Sequence, residues 1–206
     1  YIIVAHNYGD VPSKGGTSDM VPSLASRVKN KLGIKNPSCV AYDVLFGCPG
    51  WILGVTQADS FIKSGLANKV LVIGAEALSR VVDPHDRDSM IYSDGAGAVI
   101  LEPSDTEEGI LGQSTATYAV EEAFFIYNEV SYNKQLEQKT KYIKMYGRRI
   151  YNFALSRVPE GMKAAMEQAG VDIKDLKKIF IHQANEKMDE AIVDRFYKLY
   201  DMTVPK

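Results

Sequence analysis

Two residues far apart in the chain could do chemistry together: Cys48, in FGCPG, and His182, in IHQAN. A thiol in a defined backbone setting and a remote histidine are what thioester chemistry through an acyl-cysteine requires. The bland alternatives stand beside this. An isolated cysteine is usually a small, inert, buried hydrophobe, and a lone histidine is structural about as often as catalytic.

The elements around Cys48 favour the nucleophile. Residues 42–46 form a short, mostly apolar run of strand type, and the spacing predicts a buried strand there. Pro49 suits the first helical position and Gly65 the place just past the last turn. Trp51, Ile52, Val55, Ala58, Phe61 and Ile62 recur at helical spacing and are expected to bury one face. The thiol then sits at a helix N-terminus, where unpaired N–H groups and a partial positive charge favour thiolate and can hold a developing oxyanion.

The remaining pattern alternates strand and helix, the signature of an α/β fold with a parallel sheet. Residues 1–5 read as a strand covered on both faces. Residues 6–17 read as a loop. A helix follows, with Ser18 and Asp19 as capping residues, Pro22 in its first turn, a stripe of Val21, Leu24, Val28 and Leu32, and Gly33 at its end. Residues 69–75 are the clearest strand, 78–89 a polar surface loop, and 93–101 a strand whose glycines suggest close backbone approach. That Gly-x-Gly precedes a strand, so it lacks the helix a phosphate-binding loop needs.

Residues 109–118 are expected to pair antiparallel with the preceding strand. Residues 121–145 show no clean period and read as a surface excursion covering a pocket. Residues 146–169 return to helical character with Pro159 kinking or dividing them, and Gly170 ends that helix. Residues 178–181 read as a short strand ending at His182, where open α/β sheets place functional groups. Asn185 is expected to cap a last helix holding Met188, Ile192, Phe196 and Leu199.

With 206 residues, 46% hydrophobic and 24% charged, the chain can bury a substantial core. The formal net charge of -2 offers no electrostatic reason to bind nucleic acid or a membrane. No stretch is apolar enough to span a bilayer and no signal peptide is visible, so a cytoplasmic protein is expected. The two cysteines, Cys39 and Cys48, are expected to be reduced.

YDVLFGCPG, SGLANKVLVIGAEALSR, DPHDRDSMIYSDGAGAVIL, the helix from MYGRR to AGV, and IHQAN, in this order, resemble the β-ketoacyl-acyl-carrier-protein synthase III family of condensing enzymes. The resemblance implies an α/β thiolase-like fold layered αβαβα. Residues 1–118 would be most of the N-terminal half, carrying the nucleophile, and residues 119–206 the first part of the C-terminal half, carrying the histidine. It implies decarboxylative Claisen condensation of an acyl thioester with a malonyl thioester, in fatty acid or related lipid or polyketide synthesis. Cys48 would accept the acyl group, its own N–H forming half of an oxyanion hole, and His182 would stabilise the enolate.

By the same resemblance Arg87 falls where the nucleotide end of coenzyme A is met, and Asn185 lies beside the pantetheine path. Lys187 suits an acidic acyl carrier protein, and Val21 falls where a dimer partner's aromatic commonly closes the acyl pocket. No cofactor or metal is implied; coenzyme A or phosphopantetheine thioesters are the substrates, acyl-CoA and the carrier protein the partners, and a homodimer the assembly.

Departures matter too. CPGW places a proline and an indole after the cysteine where a small residue is usual. Residues 6–20 form a longer loop, and a small Val21 would leave room for longer or branched acyl chains. The family's asparagine, a glycine-rich oxyanion loop and the first strand and helices have no counterpart here, so a fragment is expected, incomplete at both ends and inactive in condensation by itself. Two further readings remain: an acyl transferase or thioester hydrolase using the same cysteine, and a non-catalytic thiolase-like partner subunit.

Overall fold

The computed structural model describes residues 1–12, 17–106, 108–137 and 139–205. Part of the expected loop at 6–17 lies outside them. The chain divides into two compact units, residues 1–84 with 92–109, and residues 85–91 with 110–206.

The first unit is built on a four-stranded sheet. Its strands are β1 (Ile2–His6), β2 (Ala41–Leu45), β3 (Val70–Ala77) and β4 (Asp94–Leu101), in the order β2-β1-β3-β4. The first three are parallel and β4 runs antiparallel to β3. Side chains alternate across β1, and each face has its own helix. Ile2 and Val4 pack with Ala25 of α1 (Leu24–Lys31), whereas Ile3 packs with Val70, Val72 and Ala58 of α2 (Gly50–Lys63). The result is an αβα sandwich with its core on both faces of β1.

Two local expectations are corrected here. The cap of α1 is Ser23, whose hydroxyl accepts from Ser26 N–H. Ser18 and Asp19 do not cap it; Asp19 instead bridges Asp10 through the backbone and pairs with Arg27. Pro22 and Val21 lie before the helix, and Val21 is 87% exposed. Strand β2 is not buried: it is an edge strand, half-covered along most of its length.

The face that α2 turns to the sheet also differs. Gly50, Gly54 and Ala58 are its buried residues, one per turn, while Trp51 and Ile52 are exposed. A Cβ on Gly54 would lie 2.7 Å from Val72 Cγ1, and one on Gly50 3.0 Å from Ala5 Cβ. Small residues therefore let the helix axis approach the sheet, and Val55, Phe61 and Ile62 close its flanks.

The second unit holds a hairpin of β5 (Ile126–Val130) and β6 (Lys141–Met145), followed by α3 (Gly147–Ala169) and α4 (Glu186–Lys198). Residues 121–145 are thus largely a hairpin rather than a shapeless excursion. Helix α3 runs undivided through a buried Pro159 and ends at Gly170 with φ +65°. Phe196 and Tyr197 of α4 form the core with Ile173, against Met162 and Met166 of α3.

Residues 110–118 form no strand. They run along α3, where Gly112 is pressed so close that a Cβ would lie 2.7 Å from Ala165 O, and Gln113 N–H donates to Gln168 Oε1. Residues 178–181 form no strand either, since no neighbour among the described residues pairs with them; Phe180 is 91% exposed. Apolar composition makes a strand possible, but only a ladder partner makes one.

Candidate functional site

The carboxyl ends of the parallel strands gather the polar groups of the first unit, as open α/β sheets do. Cys48 follows β2 directly, two residues before α2, and Phe46 N–H bonds His6 O at the end of β1. Pro49 occupies the cap position of α2 and offers no side-chain hydrogen bond. The placement of the thiol at a strand-to-helix junction is as the spacing predicts. Cys48 is exposed, and both cysteines are free.

The electrostatics of the thiol reverse the expectation. Although the residue as a whole is exposed, protein atoms crowd the sulfur enough to strip water, and this pushes its pKa above the ordinary thiol value. A hydrogen bond from its own backbone N–H pulls the other way, and the negative charge of Glu76 raises the pKa further. Burial is the largest of these influences, and the net direction is upward. The thiolate of Cys48 is therefore less favoured than that of an ordinary thiol, and its share grows as pH rises.

Glu76 is a residue that the spacing of motifs misses. Its Oε2 accepts from both the backbone N–H and the side-chain amide of Asn7, the latter at 2.9 Å. Changing Glu76 to Gln keeps an oxygen acceptor and removes the charge. The expected result is a lower thiol pKa, read as faster iodoacetamide alkylation of Cys48 between pH 7 and 8; an unchanged or slower rate refutes the Glu76 effect.

His6 and Asp43 are the other unforeseen pair. His6 is 2% exposed. Its Nδ1 accepts from Gly9 N–H at 2.9 Å, so the proton is on Nε2, which donates to Asp43 Oδ2 at 3.0 Å. The same carboxylate accepts from Leu24 N–H at 2.7 Å and Ala25 N–H at 2.8 Å, the first amides of α1. A carboxylate at a helix N-terminus is favoured by the orphan N–H groups and the dipole. The signal in the sequence is an aspartate in the middle of an apolar strand, AYDVL.

In the second unit His182 is exposed and lies on irregular chain three residues before Asn185, not at a strand end. Asn185 caps α4 as expected, its Oδ1 accepting from Met188 N–H at 3.1 Å. Lys187 is exposed on the first turn of α4. Arg87 is exposed and opens a short 3-10 turn, Arg87–Ile91. The segment before it is less superficial than its composition suggests: Asp83 of the first unit is fully buried. Among the described residues no group of three His, Cys, Asp or Glu could hold a metal, and no helix is long and apolar enough to cross a membrane.

The αβα sandwich has close counterparts among solved structures. The β-ketoacyl-[acyl-carrier-protein] synthase III of Thermus thermophilus superposes with a TM-score of 0.80 at 31% identity, over 95% of this chain and 58% of that one. The fold is thiolase-like α/β.

Residues 42–119 match the family of 3-oxoacyl-[acyl-carrier-protein (ACP)] synthase III, a stretch that contains Cys48. Among curated relatives, the β-ketoacyl-[acyl-carrier-protein] synthase III of Microcystis aeruginosa is 32% identical over 198 residues, 87% of this chain and 56% of that protein. The synthase III of Neisseria meningitidis is 37% identical over 177 residues, 85% of this chain and 54% of its own length. Over these stretches the chain is similar to the synthase III family; it spans about half the length of the curated relatives it matches.

Proposed function

We propose that the protein of which this chain carries the nucleophile performs decarboxylative Claisen condensation. An acyl group passes from a coenzyme A thioester to Cys48 Sγ with release of the free thiol. A malonyl thioester on acyl carrier protein then loses carbon dioxide, and the resulting carbanion attacks the acyl-cysteine carbonyl and expels the cysteine thiolate. The observation that carries this reading is a free cysteine, exposed as a residue, at a strand-to-helix junction inside the residues that match the synthase III family.

In this reading the N-terminal half is 1–118 and the C-terminal half 119–206. His182 donates a hydrogen bond to the thioester oxygen as the enolate forms. Arg87 meets the nucleotide end of coenzyme A, Asn185 flanks the pantetheine, Lys187 faces the acidic carrier protein, and Val21 borders the acyl pocket of a cytoplasmic homodimer. The exposure of Arg87, Asn185, Lys187 and Val21 is compatible with such contacts.

Transfer is expected to quicken as pH rises toward the thiol pKa, because the thiolate is the attacking form. The test is intact-mass analysis after incubation with acetyl-CoA. A mass increase of one acyl group, lost in Cys48→Ala, supports the reading; acylation that persists in Cys48→Ala overturns it. Carbon dioxide release from a malonyl thioester then separates condensation from simple acyl transfer or hydrolysis.

A further inference from the structure

Lys144 is fully buried, although it comes from β6 of a hairpin and lysine is rarely stripped of all its water. Its Nζ lies 3.2 Å from Asp86 Oδ2 and 3.6 Å from the centre of the Tyr132 ring. The carboxylate and the ring face stand in for the lost hydration. Asp86 directly precedes Arg87. Its other oxygen, Oδ1, accepts from Asp88 N–H at 3.0 Å, and its C=O accepts from Ser89 N–H at 3.1 Å. One carboxylate thus ties β6 to the turn from which Arg87 projects.

Relative to an apolar pair, a buried ion pair contributes little net stability, because desolvation cancels most of the attraction. What it supplies here is direction. We infer that Lys144 is a positioning residue for Arg87: by pinning Asp86 it sets the 3-10 turn Arg87–Ile91 and so the approach of the guanidinium to the nucleotide of a coenzyme A thioester. This rests on the role proposed above for Arg87. Lys144 touches no substrate in this scheme; it acts only through Asp86 and the turn.

The test is calorimetric binding of coenzyme A, and of pantetheine, which lacks the nucleotide, to the full chain. Replacing Lys144 alone strands the Asp86 charge, so the main variant is the double change Lys144→Met with Asp86→Asn, which leaves no lone charge and keeps an Oδ1 acceptor for Asp88 N–H. It is expected to bind coenzyme A at least about tenfold more weakly and pantetheine within about twofold of the parent. Arg87→Ala is expected to show the same loss, with no further loss when the three changes are combined, and Lys144→Arg to retain most of the affinity.

Unchanged coenzyme A affinity in the double variant, with weakening in Arg87→Ala, overturns the inference and leaves the reading of Arg87 standing. Unchanged affinity in Arg87→Ala overturns both. Equal losses for coenzyme A and pantetheine mark a merely structural lysine and also overturn it.

Discussion

Asp43→Ala is expected to destabilise the first unit by about 2–3 kcal/mol, read as a lower urea midpoint with little change in slope. Asp43 is the acceptor for three donors at once: His6 Nε2–H, Leu24 N–H and Ala25 N–H. Alanine removes the acceptor and leaves the His6 ring N–H without a partner in a site where that side chain is only 1% exposed. An unmet buried donor costs more than the bond itself returns.

The two backbone donors belong to the first turn of α1, which has no acidic residue of its own there. Ser23 still caps Ser26 N–H, so the helix loosens at its start rather than disappearing. Asp43→Asn keeps one oxygen acceptor and is expected to lose less than half as much. A midpoint for Asp43→Ala equal to that of the parent would refute the account. For a domain held by roughly 5–15 kcal/mol in total, a loss of the expected size is a substantial fraction of its stability.

The second large effect is at Gly54. A leucine there is expected to cost about 3 kcal/mol or more, because its first carbon already lands 2.7 Å from Val72 Cγ1 and 3.5 Å from Ile3 Cγ2. Val72 and Ile3 are both fully buried on β-strands, so neither can step aside. The helix would have to lift off the sheet, carrying Gly50 and the junction that holds Cys48 with it.

Gly54→Ala sets two terms against each other. Helix propensity favours alanine by about 1 kcal/mol, and the single added methyl overpacks a rigid contact at a cost of about 1–3 kcal/mol. A net loss is expected. Thermal melts of the two variants test the idea: a Gly54→Ala protein more stable than the parent would show that the close approach of α2 is not tight.

Much of the core is legible from local pattern. YIIVA reads as a strand covered on both faces and residues 69–75 as a strand, because each is an almost unbroken run of β-branched and apolar residues. Gly33, Gly65 and Gly170 end their helices with φ near +65° to +74°, a conformation glycine adopts without strain. Asn185 caps α4 because its short amide reaches the N–H three residues on. The hairpin at residues 126–145 is not legible locally because Ile126, Asn128 and Val130 share one face of β5 and Tyr127 and Glu129 the other, so neither face is uniformly apolar, and a hairpin is specified by pairing across 10 intervening residues, not by either strand alone.

By itself, then, the sequence determined the α/β class, the strand-to-helix junction at Cys48 and the cap at Asn185, because each depends on residues within a turn or two of one another. Only the tertiary structure decided which face of α2 meets the sheet, since that choice depends on how near Val72 and Ile3 stand. The same holds for the pairing of His6 with Asp43 and of Lys144 with Asp86, partners 37 and 58 residues apart. It holds for the thiol as well: the junction that places it is local, whereas the negative charge of Glu76, which raises its pKa, is brought to it by β3.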